Sequence, residues 1–373
     1  MRVIVILGMH RSGTSAVARV CNLLGADVGV HLLPPQEDNP TGFWELEEVA
    51  SIHDELLSSL GSSWHATAEL PDQWWQRPDI EVFKDRLIDV VQREFKDSML
   101  LCLKDPRICR LMPLWKDIFK QLEWTPYYLL VIRNPLEVAQ SLESRNGLHH
   151  RVSYLLWLRH MLEAERFTRD TNRAFIGYED LLKDWRTTME SALTRLGLGD
   201  LRIDAAAAVK IDDFIQKDLR HYAATLDGLE KDQHHALIHD AFRNCLSAIR
   251  KDTTQLQKAF SALEEILVIA APLYEPIIAD ARTKRVRLED ALSSLAAHCE
   301  HLEEKNAAVT SRMEKLQKKL AMVTEEAQAR TAQINGLIHT IADRDSAIAD
   351  LNSAIADRDT VIADRDTVIA DRD

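Results

Sequence analysis

The chain has 373 residues, of which 46% are hydrophobic, and it carries a formal net charge of −13 at pH 7. This length and apolar content are enough for one large domain with an appendage, or for two domains. The negative charge argues against a general nucleic-acid-binding protein, because nothing offsets phosphate repulsion over a broad surface, although a local basic pocket is compatible with it. No apolar run reaches the length of a membrane span, so no transmembrane segment is expected.

The cysteines and the N-terminus bear on where the protein works. The 5 cysteines are scattered and include no C-x-x-C pair, which indicates neither a disulfide framework nor a zinc site. A glycine loop begins at Gly8, which leaves no room before it for a cleavable signal peptide. We therefore expect reduced thiols, no metal site and a cytoplasmic protein.

The N-terminal stretch predicts a phosphate-binding loop. An apolar run over residues 1–7 reads as a buried strand, which leads into the loop 8–15, Gly-Met-His-Arg-Ser-Gly-Thr-Ser, and then into a helix over 16–24. Glycines let backbone N–H groups turn inward, and a helix start adds a positive dipole. A nucleoside-triphosphate P-loop has lysine where Thr14 stands, and the nearest cation here is Arg11. The pattern favours a phosphate or sulfate pair over a magnesium triphosphate; a tight turn that binds nothing is the alternative.

Two carboxylates near the next helix are candidates for acid–base chemistry. After a loop with prolines and glycine over 30–43, the pattern predicts a helix from Trp44, with Glu45 and Glu48 three residues apart near its start. A carboxylate on a rigid helix start beside a cleft is well placed as a general base. The alternative is a charge favoured by the helix dipole. We prefer Glu45 as the base, and we expect His53, in the apolar row, to be a hydrogen-bonded core residue.

Residues 64–80 are rich in tryptophan. Trp64, Trp74 and Trp75 lie in this stretch, together with prolines. Aromatic faces suit carbohydrate rings, so the stretch is a candidate lid or sugar-stacking platform. A packed loop without a ligand is the alternative.

Cationic residues follow two further predicted strands. The strand over 99–103 ends at Lys104, and the strand over 127–132 ends at Arg133, with Ser141 two helical turns into the next helix. Charged residues at the carboxyl ends of parallel strands point at the crevice where open α/β sheets bind ligands. Lys104 is thus a candidate to stabilise charge on a leaving phosphate, unless it merely pairs with the following aspartate in a surface turn. The Arg133 fork and the Ser141 hydroxyl are candidates to converge on one phosphate.

With a fourth strand over 174–178, these segments predict an α/β fold. We expect a P-loop-type parallel sheet flanked by helices over residues 1–222. A helical segment is expected over 223–285, followed by a long coiled coil over 286–373.

Three ordered motifs carry a family resemblance. They are Gly8-x-x-Arg-Ser-Gly-Thr-Ser, Arg133-Asn-Pro with Ser141, and Tyr178-Glu-Asp-Leu. Together they resemble the sulfotransferases that use 3′-phosphoadenosine-5′-phosphosulfate (PAPS), over residues 1–222. The sequence Lys104-Asp-Pro adds a match to the protein-tyrosine and bacterial members.

The resemblance implies how the co-substrate PAPS is held. The 5′-phosphosulfate is expected on the loop residues Arg11, Ser12, Gly13, Thr14 and Ser15. The 3′-phosphate is expected on Arg133 and Ser141, with Tyr178 near the adenine. The donor has no γ-phosphate, which accounts for the missing lysine after the second glycine, and transfer to a hydroxyl requires no metal.

The chemistry implied is an in-line displacement at sulfur, in which positioning and charge stabilisation dominate. We expect Glu45, with Glu48 as a weaker candidate, to accept the acceptor's proton, and Lys104 and Arg11 to neutralise the departing phosphate.

Two features of the sequence depart from the family. The late Arg-Lys-Gly segment of the cytosolic members is missing, with Lys217, Arg220 and His221 as the nearest substitute, and their histidine base has no clear counterpart.

The C-terminal quarter has a different pattern. From 292 to 355 apolar residues recur at alternating intervals of three and four, which predicts a left-handed coiled coil. With Leu292 as position a, the lone Asn306 at that position and later isoleucines favour two parallel strands in register. Arginine at d weakens the last heptads, where Ile-Ala-Asp-Arg-Asp recurs as in a slippage-prone repeat or a fragment of a longer protein. We expect a parallel homodimer through 292–337; a lone charged helix is the alternative.

The function expected from these features is sulfuryl transfer from PAPS to an acceptor hydroxyl. A glycan or glycolipid precursor is favoured over a small phenol as the acceptor. One alternative is an inactive nucleotide-binding head on a coiled-coil scaffold. Another is an ATP-dependent small-molecule kinase, which needs a lysine after Gly13 and a carboxylate that holds magnesium. The lysine is missing, whereas Asp105 is a candidate for the carboxylate.

Overall fold

The computed structural model describes residues 1–36, 39–201, 203–216, 242–243, 245–246 and 253–370. The strands are β1 (Arg2–Leu7), β2 (Leu100–Lys104), β3 (Thr125–Ile132) and β4 (Arg173–Gly177). The helices are α1 (Thr14–Leu23), α2 (Glu47–Ser59), α3 (Glu81–Glu94), α4 (Ile108–Gln121), α5 (Pro135–Asn146), α6 (His150–Thr168), α7 (Tyr178–Lys183), α8 (Trp185–Leu196), α9 (Ala205–Gln216) and α10 (Thr253–Ala370). Two short 3₁₀ helices, Trp74–Gln76 and Pro78–Ile80, precede α3.

The strands form one parallel sheet in the order β2-β1-β3-β4. Each predicted strand is confirmed, with ends that differ by one or two residues, and the predicted α/β fold class is confirmed with it. Ile6 pairs with Lys104, and Leu7 pairs with Leu130, so the strands end at the same edge. Because β2 and β3 lie on opposite sides of β1, the carboxyl end of β1 is the switch point at which open α/β sheets bind ligands.

Alternate side chains of β1 enter two apolar cores, one on each face of the sheet. Val3, Val5 and Leu7 are buried with residues of helices α2 to α6. Ile4 and Ile6 are buried with residues of α1 and of α7 to α9. Burial on both faces explains why the first strand reads as an unbroken apolar run.

Helix α2 begins later than predicted. Trp44 has φ 58°, in the left-handed region, and Leu46 is extended at φ −66° and ψ 123°. Neither conformation continues an α-helix, so the helix begins at Glu47 and the predicted start at Trp44 is wrong. Glu45 therefore lies in a short strap before the helix, and of the two candidate carboxylates only Glu48 is in its first turn.

The chain divides into two compact units, Met1–Ala279 and Asp280–Asp373. The first unit contains the sheet and the beginning of α10. There Phe260 is buried and its ring stacks on Phe175 at a centroid distance of 6.4 Å. The start of α10 is thus part of the core that covers the sheet.

The domain boundaries at 222 and 285 stay predictions, since much of the chain between 217 and 252 lies outside the described residues. Lys217, Arg220 and His221, the substitutes considered for the missing triplet, fall in that stretch.

The second unit is helical over its described length, as expected for a coiled coil. Its heptad core positions face solvent: Leu292 is 65% exposed, Leu316 58% and Ile341 58%. Among the described residues, no helix combines the length and apolar character needed to cross a bilayer.

Candidate functional site

The loop after β1 has the geometry of an anion cradle. Gly13 stands at the N-terminus of α1 with φ 85°, and no side chain of the described residues caps this helix end. The first N–H groups of a helix lack partners within the helix, so an uncapped end favours an anion. A Cβ atom on Gly13 would lie 2.1 Å from Cδ2 of Tyr178, so glycine is needed both for the φ angle and for this close contact.

The structure brings together four of the predicted donor-binding residues. Arg11 Nε donates to Ser141 Oγ at 2.7 Å, and Arg133 Nη1 donates to the Arg11 carbonyl at 2.9 Å. The Arg133 guanidinium carbon lies 4.9 Å from the centroid of the Tyr178 ring. Motifs that are more than one hundred residues apart in the chain thus meet at one loop, because the carboxyl ends of β1, β3 and β4 are neighbours.

Two buried polar atoms beside this loop have no hydrogen-bond partner in the described part of the chain. They are Ser12 Oγ and Arg133 Nη2. The rest of the Arg133 fork is engaged, since its Nε donates to Glu137 Oε2 at 3.0 Å. An unpaired buried donor costs roughly 1–3 kcal/mol, and a bound phosphate oxygen removes that cost. The residues present therefore fit a ligand with phosphate or sulfate groups.

Lys104 forms the second part of the site, at the carboxyl end of β2. Its Nζ donates to Ser15 Oγ at 3.1 Å, to the Phe43 carbonyl at 2.9 Å and to Glu45 Oε1. The side chains of Lys104 and Glu45 are 2% and 6% exposed. Of the four predicted catalytic residues, Lys104 thus contacts the loop through Ser15, and Glu45 is joined to it in a buried ion pair.

Burial raises the pKa of Glu45, and the charge of Lys104 opposes this rise. Asp105 raises the pKa further, and Arg107 lowers it. A carboxylate with a raised pKa suits a general base. Both of its oxygens nevertheless lie beside cations, because Oε1 accepts from Lys104 and Oε2 lies 3.6 Å from Arg107 Nη1.

Glu48 is not part of this group of residues. Its side chain is 52% exposed and pairs with Arg93 on α3. Helix α2 turns this residue toward α3, so the expectation that Glu45 and Glu48 share one face near the site does not hold.

Asp105, which follows Lys104, belongs to a buried hydrogen-bonded network that the sequence did not reveal. Asp105 Oδ2 lies 2.8 Å from His53 Nδ1, and Trp115 Nε1 donates to His53 Nε2 at 3.0 Å. His53 is thus a hydrogen-bonded core residue, as expected. Burial disfavours the Asp105 carboxylate, but Arg107 and His53 outweigh this and hold its pKa well below the usual range.

The alternative of a surface turn in which Lys104 pairs with Asp105 is wrong. Lys104 is buried and pairs with Glu45, whereas Asp105 Oδ1 accepts from the backbone N–H and Nη1 of Arg107 at 2.8 and 3.0 Å. The charged residues that follow β2 indicated a polar cluster at this position. The sequence did not indicate its partners His53 on α2 and Trp115 on α4.

The tryptophan-rich stretch divides into two parts. Trp74 is 3% exposed and belongs to the core, which is the packed-loop alternative. Trp64 also packs against this core, and its ring in addition contacts the ring of His10, with centroids 4.6 Å apart and planes tilted by 48°. His10 stands inside the phosphate loop, and we had not singled it out from the sequence.

Neither a protein-family profile nor a curated protein matches the chain. Its structural neighbours are sulfotransferase domains. "Sulfotransferase Domain from the Curacin Biosynthetic Pathway" is 20% identical with a TM-score of 0.36, and the match covers 64% of this chain and 96% of that one. "Sulfotransferase Domain from the Synechococcus PCC 7002 Olefin Synthase" is 19% identical with a TM-score of 0.36, covering 65% and 94%.

A third neighbour is "mouse sulfotransferase SULT7A1 complexed with PAP", at 18% identity and a TM-score of 0.32, covering 70% of this chain and 82% of that one. The family of these neighbours is the one that the sequence motifs resemble. At such TM-scores the likeness carries no argument about activity, which has to be inferred from the side chains of this site.

Proposed function

We propose that this protein is a sulfotransferase that moves the sulfuryl group of PAPS to an acceptor hydroxyl, with a glycan or glycolipid precursor as the acceptor class. The observation that carries the proposal is that two buried atoms beside the start of α1, Ser12 Oγ and Arg133 Nη2, have no hydrogen-bond partner among the described residues. A donor with one phosphate group at each end of its sugar matches two such positions.

Each part of the donor has candidate residues. The phosphosulfate belongs on the loop from Arg11 to Ser15, where N–H groups and hydroxyls meet the helix dipole. The 3′-phosphate belongs with Arg133 and Ser141, and the adenine with Tyr178. The contacts that already link Arg11, Arg133 and Ser141 support this assignment, because they join the two phosphate positions before any ligand binds.

The reaction is an in-line transfer. The acceptor oxygen bonds to sulfur as the sulfur–oxygen bond to the phosphate breaks, and the electron pair of that bond leaves with the phosphate. Lys104 and Arg11 stabilise the charge on the leaving group. The acceptor proton goes to a buried side chain beside the loop. Glu45 is the carboxylate that the sequence offers for this role, and its pairing with Lys104 also fixes the lysine against the loop.

Isothermal titration tests the donor. Adenosine 3′,5′-bisphosphate (PAP), the desulfated donor, is expected to bind the full chain with micromolar affinity and more tightly than ATP with magnesium. Arg133→Ala removes charged hydrogen bonds worth about 1.5–3 kcal/mol each, so PAP affinity should fall about 10- to 150-fold. Arg86→Ala is the matched control, because Arg86 forms a surface ion pair with Glu55.

Other outcomes contradict the proposal in different ways. Tighter binding of ATP with magnesium would favour the kinase. Binding of neither nucleotide would favour the scaffold. Equal PAP affinity in the wild type and Arg133→Ala would remove Arg133 from the 3′-phosphate site.

The second unit is proposed to pair with a second copy of the chain as a parallel, in-register coiled coil through 292–337. Its leucines, valines and isoleucines at positions a and d are exposed in the single chain, and Asn306 at a favours an in-register pair. In the later heptads, parallel pairing places isoleucine opposite isoleucine at a. It also sets each arginine at d, such as Arg344, beside an aspartate at e of the partner, such as Asp345.

Sedimentation and cross-linking test this pairing. We expect a dimer at micromolar concentration. Cys299 occupies position a, so under mild oxidation it should form an interchain disulfide, because a parallel in-register pair places the two Cα atoms within bonding range. The control Cys299→Ser with Ala297→Cys moves the thiol to the outward position f, where cross-linking should be lost. A monomer, or a dimer without the Cys299 cross-link, would contradict the proposal.

A further inference from the structure

Two histidines with unpartnered ring nitrogens lie next to the phosphate loop. His10 is inside the loop, and His160 is on α6; their ring centroids are 6.2 Å apart and their planes are nearly perpendicular at 79°. The Nε2 atoms of both rings are buried and have no hydrogen-bond partner among the described residues. A buried imidazole nitrogen usually has a partner, so two neighbouring nitrogens without a partner among the described residues are both available to a ligand group.

The chemistry of the pair favours a hydroxyl as that group. His160 Nδ1 is 2.8 Å from the Leu156 carbonyl, so Nδ1 carries the hydrogen and Nε2 presents a lone pair. Burial lowers the pKa of His160 to about 3, and the charges of Arg110 and Arg159 lower it as well. The ring is therefore neutral. A lone pair attracts a hydroxyl hydrogen and repels a carboxylate or phosphate oxygen.

His10 is also neutral in the free protein. Burial is the largest cause that holds its pKa well below the ordinary value, and Arg107 and His160 lower the pKa further. Asp105 raises this pKa and Lys104 lowers it. A neutral imidazole is able to accept a proton. Negative charge on the adjacent loop favours the protonated ring, so a bound polyanionic donor increases the proton affinity of His10 at the stage when it is needed.

We propose that the acceptor hydroxyl binds at the His10–His160 pair and that Nε2 of His10, rather than Glu45, receives its proton. The inference rests on the proposed sulfotransferase function and deepens it by assigning the acceptor site. Glu45 then holds Lys104, which agrees with the cations beside both of its oxygens.

In the transfer step one bond to sulfur forms and one bond to sulfur breaks. The hydroxyl oxygen forms the new bond to sulfur, the bond between sulfur and the phosphate oxygen breaks, and its electron pair leaves on PAP. The hydroxyl proton passes to His10 Nε2, which gives an imidazolium that returns the proton to solvent. The acceptor class is a neutral hydroxyl compound, with Trp64 as an aromatic surface against the His10 ring.

The test compares PAP formation from PAPS by the full chain, with water and with methyl β-glucoside as hydroxyl probes. His10→Gln keeps the size of the side chain but cannot take a proton, and the rate should fall about 10²- to 10⁴-fold. His10→Ala should fall similarly and regain part of its rate when imidazole is added. His301→Gln, on the exposed face of α10, is the matched control. PAP affinity, measured by titration, should change less than about threefold in His10→Gln, because base removal leaves the donor contacts in place.

The outcomes distinguish His10 from Glu45 as the base, and they also test the proposed function. If Glu45→Gln loses the rate while His10→Gln keeps it, Glu45 is the base and the inference is wrong. If the wild type is no faster than His10→Gln with either probe, the inference is also wrong. Wild-type chain that binds no PAP overturns the proposed function itself, and the titration identifies that case separately.

Discussion

Replacing Lys104 by methionine is expected to lower the free energy of unfolding by about 3–5 kcal/mol, because it leaves the buried Glu45 carboxylate without its main partner. Both side chains are nearly inaccessible to solvent, so water cannot compensate for the lost ion pair. If Lys104 has the role proposed for it, the same change should reduce sulfuryl transfer about 10²- to 10³-fold, since it removes the cation proposed to stabilise the leaving group. Denaturant unfolding of the first unit measures the first effect, and PAP formation from PAPS measures the second.

The double variant Lys104→Met with Glu45→Gln separates the two effects. Removing both charges takes away the unpaired carboxylate, so most of the lost stability should return, as it does when buried ion pairs are replaced as a unit. The lost activity should not return, because the cation is still missing. A double variant as unstable as Lys104→Met alone would show that the pair does not account for the loss of stability.

Replacing Gly13 by alanine is expected to disable the phosphate loop. The new Cβ would meet the Tyr178 ring at 2.1 Å, and Tyr178 is itself buried and stacked under Arg133. The left-handed conformation costs about 1–2 kcal/mol for a residue with a Cβ atom, and overpacking adds about 1–3 kcal/mol. We therefore expect a loss of about 2–5 kcal/mol in unfolding free energy and a loss of measurable PAP binding.

The control for this change is Gly197→Ala. Gly197 has φ 75°, close to the 85° of Gly13, but a Cβ there meets no atom within 4 Å. Only the conformational cost should be measured, about 1–2 kcal/mol, with PAP affinity unchanged. If the two alanine variants behave alike in unfolding and in titration, the contact between Gly13 and Tyr178 has no role in the site.

The local sequence pattern predicted the strands and the charged residues that follow them. Short apolar runs locate the strands to within two residues, and the residue after each run is placed at the ligand edge by the parallel sheet alone. For this reason Arg133 and Lys104 were identified without any knowledge of their neighbours. The start of α2 was placed wrongly: the backbone of Glu45 and Glu47 hydrogen-bonds to Leu33 and His31, and the helical spacing of the apolar residues does not record these contacts.

The sequence did not indicate which side chains form ion pairs, hydrogen bonds or ring contacts with each other. Glu45 was proposed as the general base, and only the packed structure shows that it pairs with Lys104 at the end of β2. Glu48 was grouped with it by spacing, whereas the direction of α2 turns Glu48 toward Arg93. The pairing of His10 with His160 joins the first loop to the sixth helix, a separation that no local pattern records.

What the sequence by itself determined is the order of elements, the parallel sheet, the phosphate loop and the heptad pattern, since these depend on spacing along the chain. What only the tertiary structure decided is which polar groups are satisfied and which are not. Around the loop after β1, the residues Ser12, Arg133, His10 and His160 each have a buried atom without a partner in the described ranges of the chain. The physical reason is that a hydrogen bond depends on distances between segments far apart in the chain, and those distances exist only after the sheet and its helices have packed.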